Sequence, residues 1–90
     1  MRGDIVVVRA FKGRPYVRRV WESSPDAVYI CSEERFQKLA ENQDAWPPTG
    51  FPREDVFCYD PSLVDVLRDN WHEDQSLWNR LTIWQEDQQN

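Results

Sequence analysis

Apolar residues stand in short blocks over the first third of the chain, a pattern typical of β-strands. Residues 4–11 (DIVVVRAF) form a β-branched run between Gly3 and Gly13, and residues 16–21 (YVRRVW) follow after a short turn. Runs of β-branched and aromatic residues bounded by turn residues indicate strands, and a short connection between two of them favours a hairpin. We therefore predict an antiparallel β-hairpin at the start of the chain.

The second strand of this hairpin does not alternate regularly. Val17 and Val20 have opposite parity, so a regular strand would send them to opposite faces. A bulge near Arg18 and Arg19 would turn both valines inward and would add the strong local twist of small barrels. We predict a bulge at this point.

The pattern then changes from strand to helix and back to strand. Residues 27–32 (AVYICS) alternate as a third strand, whereas residues 32–41 carry apolar side chains three and four positions apart, with Ser32 as a natural N-cap. The proline-rich residues 42–52 exclude a helix and predict a stiff loop. Residues 56–59 (VFCY) are predicted to form a fourth strand.

A second helix is predicted to begin at Pro61, because Asp60 precedes it as a cap and proline favours the first helical position. Asp74 lies within the apolar stripe of this helix, so either the helix breaks near residues 72–76 or one helix runs on with Asp74 beyond the edge of the sheet. We favour the break, and we expect residues 87–90 to be a frayed tail. The stripe consists of Leu63, Val64, Leu67, Trp71, Trp78 and Leu81.

The chain is long enough for one small domain, and its composition suits a dense core. Of its 90 residues, 40% are apolar, and five are tryptophans whose large rings each bury roughly 150–250 Å². We expect Trp21, Trp71 and Trp78 to lie in the core. Trp46 is expected to seal one end of a small barrel, which leaves Trp84 without a place in the apolar stripe.

Charge is unevenly distributed along the chain. The net charge is −5 at pH 7, yet residues 1–21 carry six basic residues and one acidic residue. Tyr16 and Trp21 could stack on bases between these cations, so the hairpin is a candidate site for single-stranded nucleic acid or RNA. The alternative is that the cations pair with the acidic remainder of the chain. The candidate cations are Arg9, Lys12, Arg14, Arg18 and Arg19.

A second candidate site is apolar and would bind a protein partner or a second copy of the chain. Its members either lie in the rigid proline-rich loop or fall off the stripe of the second helix. Two alternatives stay open: the loop can close the open end of a barrel, and a second helical piece with its own phase can bury the others. The candidate residues are Trp46, Phe51, Leu77, Ile83 and Trp84.

Motifs for catalysis are absent from the sequence. It contains no glycine-rich phosphate loop, and no nucleophile elbow precedes His72, the single histidine. Cys31 and Cys58 form no Cys-x-x-Cys motif and are predicted to be free thiols. We therefore predict that the protein is not an enzyme and that it uses no metal and no cofactor.

The hydropathy pattern predicts no contact with a membrane. No apolar run approaches the ~18 residues of a membrane-spanning helix. The apolar run near the start is shorter than the roughly 7–15 residues of a signal peptide's apolar region. We predict a cytoplasmic protein.

Three segments together resemble a known fold: residues 3–8 (GDIVVV), residues 12–14 (KGR) and residues 50–57 (GFPREDVF). They are similar to SH3-like small β-barrels of the KOW and Tudor type, and the resemblance covers residues 3–60. It implies a small barrel that serves as a binding module. No site residue is carried over from the family, because fold similarity alone does not assign a site.

The prediction for the fold is α+β: an SH3-like bent antiparallel sheet or small barrel of four or five strands, with a short inserted helix and a C-terminal amphipathic helix. Residues 1–90 form one domain, with residues 3–60 as the barrel-like part and residues 61–86 as the helical segment. The predicted function is a non-catalytic interaction module that binds an unknown protein partner or itself. The alternative is binding of single-stranded nucleic acid or RNA through the basic hairpin.

Overall fold

Five strands form one antiparallel sheet in a computed structural model that describes residues 1–86. The predicted frayed tail, residues 87–90, lies outside the described residues. The strand order is β4-β3-β2-β1-β5, and helix α1 is inserted between β3 and β4 while α2 follows β5. The bounds are β1 Ile5–Arg9, β2 Pro15–Ser23, β3 Ala27–Cys31, α1 Glu33–Ala40, β4 Thr49–Pro52, β5 Val56–Cys58 and α2 Pro61–Asn70.

The predicted α+β class with an inserted helix is confirmed, but the sheet does not close into a barrel. Strands β4 and β5 are its two edges, and no ladder joins them within residues 1–86. The edge of β5 is covered by extended chain, because Cys58 N donates to Thr82 O at 2.7 Å and Trp84 N donates to Val56 O at 2.9 Å. This cover satisfies backbone groups that an edge strand would otherwise leave unpaired.

Strand β1 lies inside the sheet, between β2 and β5, and is buried on both faces. Val6, Val7 and Val8 are all fully buried, which explains the continuous apolar run. On one side, which we term the Trp84 face, the core contains Val6, Val8, Val20, Val28, Ile30, Val56 and Trp84. On the other, the α2 face, it contains Val7, Phe57, Val64, Leu67, Trp78 and Leu81.

The bulge predicted near Arg18 and Arg19 is wrong. Val17 packs with the core of the α2 face, whereas Val20 lies in the core of the Trp84 face, and the register shift comes only between Val20 and Glu22. Both faces of the sheet are covered by a hydrophobic core, so Val17 and Val20 pack on opposite faces. The odd spacing of the two valines therefore requires no bulge.

The predicted break after the second helix is confirmed. Helix α2 ends at Asn70, and a separate 3-10 helix spans Gln75–Arg80. Asp74 caps this second piece by accepting a hydrogen bond from Ser76 N at 3.0 Å, so the polar residue in the apolar stripe begins the new helix. The predicted N-cap of α2 is also present, since Asp60 accepts from Ser62 N at 3.1 Å.

The tryptophans expected in the core are not equally buried. Trp78 is 1% exposed, and its indole Nε1 donates to Gly13 O at 3.2 Å. Trp21 and Trp71 are only half-buried. Trp21 packs edge-on against Phe36 of α1, with 5.7 Å between ring centroids, because α1 covers the end of β2.

The start and the end of the described chain are joined at Asp4. Its carboxylate accepts hydrogen bonds from the Met1 ammonium at 2.9 Å and from Trp84 Nε1 at 3.1 Å. Partial burial raises the pKa of Asp4, but these two hydrogen bonds and the charge of the ammonium outweigh it and lower the pKa overall. The ionised form of Asp4 therefore stabilises the fold.

Lowering the pH below about 4 is expected to reduce the free energy of unfolding, and less steeply in the Asp4→Asn variant. A carboxylate whose pKa is lowered by folding stabilises the fold above its unfolded pKa, about 3.9 for aspartate. That contribution is lost as the pH falls through the folded value. Because Asp4 is nearly half exposed, the difference should stay below about 1 kcal/mol.

Urea unfolding at neutral pH and at about pH 2.5 measures this difference. Asp26→Asn removes an exposed carboxylate from the β2–β3 turn and serves as the control. If Asp4→Asn and the unmodified chain lose the same free energy on acidification, the stabilising role of Asp4 is refuted.

Candidate functional site

The cations of the hairpin divide according to the face of the sheet. Arg9 and Arg19 have the parity of Val7 and Val17 and face the α2 side. Both are paired within the protein: Arg9 Nε lies 2.9 Å from Asp55 Oδ1, and Arg19 Nε lies 2.7 Å from Glu33 Oε1. These two arginines are neutralised, as one of the two sequence interpretations proposed.

The contacts of Arg9 and Arg19 are structural. The Arg9 guanidinium lies 5.0 Å from the centroid of the Phe57 ring and covers the core of the α2 face. Hydrogen bonds from Gln37 and Arg19 lower the pKa of Glu33. Neither arginine is available to bind a ligand without breaking an ion pair.

The remaining hairpin cations surround aromatic rings. Arg18 lies 4.7 Å and Arg14 lies 5.6 Å from the centroid of Tyr16, and Lys12 lies 5.5 Å from that of Phe11. Within residues 1–86, no carboxylate forms an ion pair with Lys12, Arg14 or Arg18. Residues 1–86 therefore give no support to internal neutralisation of these three cations.

A cavity of about 250 Å³ opens beside Tyr16 and Arg18, and we term it the Arg18 pocket. Its lining combines apolar side chains with two guanidinium groups, Arg18 from β2 and Arg35 from α1. Among the described residues, Arg35 also forms no ion pair with a carboxylate. The apolar part of the lining comes from three strands: Val8, Ile30 and Phe51.

Strand register explains why this pocket forms here. Val8 lies opposite Tyr16 and Val6 lies opposite Arg18, so the lining residues of β1 and β2 share the Trp84 face. Trp84 packs in the same core as Val6 and Val8, yet it is not part of the pocket lining. The apolar interior is therefore filled at Trp84, and the Arg18 pocket opens beside the half-buried Tyr16 and Phe51, while Val8 stays fully buried.

The cap of α1 places Arg35 at the pocket. Ser32 follows β3 directly, and its Oγ accepts a hydrogen bond from Arg35 N at 3.2 Å. The start of α1 is thereby tied to the end of β3, where Ile30 and Ser32 line the pocket. Arg35 was not predicted as a site residue because it lies outside the basic segment of residues 1–21. Its position three residues after the predicted cap, Ser32, could have indicated that it lies at the start of α1, close to the end of β3.

Cys31 also lines the pocket but is not poised for nucleophilic chemistry. Burial raises the pKa of its thiol, and the charge of Arg35 offsets this only in part. The thiol therefore stays protonated at neutral pH. Both Cys31 and Cys58 are free, as predicted.

The apolar residues predicted to bind a partner do not form one surface. Trp84 is only 4% exposed and Leu77 is half-buried against the core of the α2 face, so the alternative of burial that the sequence left open applies to these two residues. Ile83 is 36% exposed beside Phe57, and Phe51 lines the Arg18 pocket. The structure brings only one of these candidates to the pocket.

Trp46 and Trp84 differ from expectation in opposite directions: the ring expected to be buried is exposed, and the ring left without a place in the stripe is buried. Trp46 is 77% exposed and seals nothing, whereas Trp84 fills the interior. The physical reason is that residues 82–84 are extended chain paired with β5, so Ile83 and Trp84 point to opposite sides. A helical stripe does not describe this segment.

No protein-family model matches the chain, and no curated protein or solved structure matches it. Over residues 1–86, no three histidine, cysteine or acidic side chains come together in a group that could hold a metal ion. In the same part of the chain, every helix is too short or too polar to cross a bilayer.

Proposed function

We propose that the protein is a non-catalytic interaction module that binds a protein partner through the Arg18 pocket. The observation that carries this proposal is a cavity with a mixed apolar and polar lining, bordered by Arg18 and Arg35, which no carboxylate of residues 1–86 neutralises. Its volume of about 250 Å³ is smaller than the ~300–1,000 Å³ of typical small-molecule sites. Such a cavity suits an anchoring side chain of a partner better than a whole cofactor.

Exposed aromatic residues flank the pocket in sequence. Phe11 is 82% exposed and follows Ala10, a lining residue, while Trp46 is 77% exposed and lies three positions before Thr49, another lining residue. Aromatic side chains are enriched in protein interfaces, where a few anchors in pockets supply most of the binding energy. Exposed aromatic side chains one and three positions from lining residues thus support a macromolecular partner.

The partner is a different protein in this proposal. The prediction of a homodimer rested on an exposed Trp84, and Trp84 lies in the core. A cytoplasmic location stays a prediction from the sequence.

Selection from a library of random displayed peptides tests the proposed function without assuming the chemistry of the partner. We expect peptides that bind the unmodified chain and lose at least about tenfold in affinity in Thr49→Trp, because a large ring at this wall of the pocket blocks entry. Thr82→Trp makes the same change at an exposed position outside the pocket and should bind normally. A library without binders, or binders unaffected by Thr49→Trp, would exclude the proposed function.

A second candidate function is binding of single-stranded nucleic acid or RNA. It is supported by Lys12, Arg14 and Arg18, whose charges are not neutralised within residues 1–86 and which lie beside aromatic rings. Labelled mixed oligonucleotides at low salt should then bind, with an affinity that falls as salt rises and that Arg14→Gln weakens. If they do not bind at low salt, this candidate is eliminated.

A further inference from the structure

We infer that the Arg18 pocket recognises an acidic peptide segment, in which a carboxylate stands next to an aromatic or large aliphatic side chain. This inference rests on the proposed function and adds the chemistry of the partner. The carboxylate pairs with Arg18 and Arg35, and the apolar side chain enters the space beside the half-buried Tyr16 and Phe51.

The desolvation of the two arginines argues for an anionic ligand. Arg18 and Arg35 are already half-buried, and any occupant of the pocket removes more water from them. A neutral occupant would leave two guanidinium charges desolvated without a counter-charge, which is strongly unfavourable. A carboxylate compensates both charges and accepts their hydrogen bonds.

The distribution of acids in the chain strengthens this argument. The protein contains 16 acidic and 11 basic residues, so carboxylates are in excess. Arg9 and Arg19 obtain acidic partners on the α2 face, yet no carboxylate of residues 1–86 pairs with Arg18 or Arg35. The positive charge at the pocket is therefore left for a ligand to neutralise.

Arg18 is held in place before any ligand binds. Its guanidinium lies over the Tyr16 ring at 4.7 Å, and its Nη1 donates to Val17 O at 2.8 Å. A guanidinium has five N–H donors in a planar fork that matches a carboxylate, so donors remain for the ligand. Because the fork is already oriented, less entropy is lost on binding.

The net charge of −5 favours an acidic peptide over a nucleic acid as the ligand. A nucleic acid places phosphates along a strand of many nucleotides, and most of this protein repels them, since the 69 residues after the first 21 contain 15 of the 16 acids. A short peptide brings its charge to one point. At physiological salt, repulsion from acids beyond ~8 Å is largely screened.

Calorimetric titration with two blocked hexapeptides tests the inference: one with Glu-Trp-Asp at its centre and one with Gln-Trp-Asn. We expect the acidic peptide to bind at least about tenfold more tightly, since a hydrogen bond to a charged group is worth roughly one to two powers of ten in affinity. Arg18→Gln and Arg35→Gln should each remove most of that preference. Arg68→Gln makes the same change on the exposed surface of α2 and should leave both affinities within about twofold.

Other outcomes separate this inference from the proposed function. Equal affinity of the two peptides, or a preference that survives Arg18→Gln, overturns the inference. If displayed peptides that depend on Thr49 are not acidic, the acidic ligand is wrong while the interaction module stands. If a mixed single-stranded oligonucleotide binds and the acidic peptide does not, the nucleic-acid candidate replaces both.

Discussion

Trp84→Ala is expected to lower the free energy of unfolding by about 3–5 kcal/mol, the usual cost of removing a large buried ring. Trp84 is 4% exposed and packs among the valines of the Trp84 face. Its indole also donates a hydrogen bond to Asp4, which ties the end of the described chain to its start. Since the free energy of unfolding of a native protein is about 5–15 kcal/mol, this loss is a large fraction of the total stability.

Urea unfolding followed by far-ultraviolet circular dichroism measures this loss independently of tryptophan fluorescence. Trp46→Ala removes the same side chain from a site that is 77% exposed and should cost no more than about 0.5 kcal/mol. Trp84→Phe keeps most of the packing but loses the bond to Asp4, and should fall between the two. Equal stabilities of Trp84→Ala and Trp46→Ala would contradict the burial of Trp84.

Trp78→Ala is expected to cost a similar amount, about 3–5 kcal/mol, on the other face of the sheet. Trp78 is 1% exposed, and its ring lies 4.9 Å from that of Phe57. Its removal also leaves the buried Gly13 carbonyl without the indole that donates to it. Gly13 has a positive φ of 85°, a conformation that suits glycine.

The same unfolding experiment, with Trp71→Ala as the control, tests the role of Trp78. Trp71 is half-buried and makes an edge contact with the exposed His72, so its loss should cost clearly less. Trp78→Phe should lose about 1–3 kcal/mol, because the ring stays while the Gly13 carbonyl loses its donor. A loss below about 1 kcal/mol in Trp78→Ala would contradict the packing of the 3-10 helix against β5.

The Arg18 pocket was predictable in part. Parity along β2 places Tyr16 and Arg18 on one face and Arg19 on the other, and this alternation is readable from the sequence once the strand is assigned. What parity does not reveal is which face has acidic neighbours. That Arg19 is paired with Glu33 depends on where α1 packs, and α1 is positioned by tertiary contacts such as the one between Trp21 and Phe36.

The sequence by itself determined the local elements, because their signals act over a few residues. Ser32, Asp60 and Asp74 each accept a hydrogen bond from a backbone N–H two or three residues ahead, so the helix starts follow from short-range chemistry. The break in the C-terminal segment is predictable for the same reason. The hairpin follows from β-branched runs on either side of a glycine turn.

Only the tertiary structure decided which aromatic residue is buried and where the interior stays open. Trp84 enters the core because residues 82–84 pair with the edge of β5, a contact between parts of the chain about 25 residues apart. Because of that pairing, the Trp84 ring packs beside Val6. Residues of β2, β4 and α1 instead line a cavity that Arg18 and Arg35 border. Burial depends on which distant segments meet, and no local pattern encodes that choice.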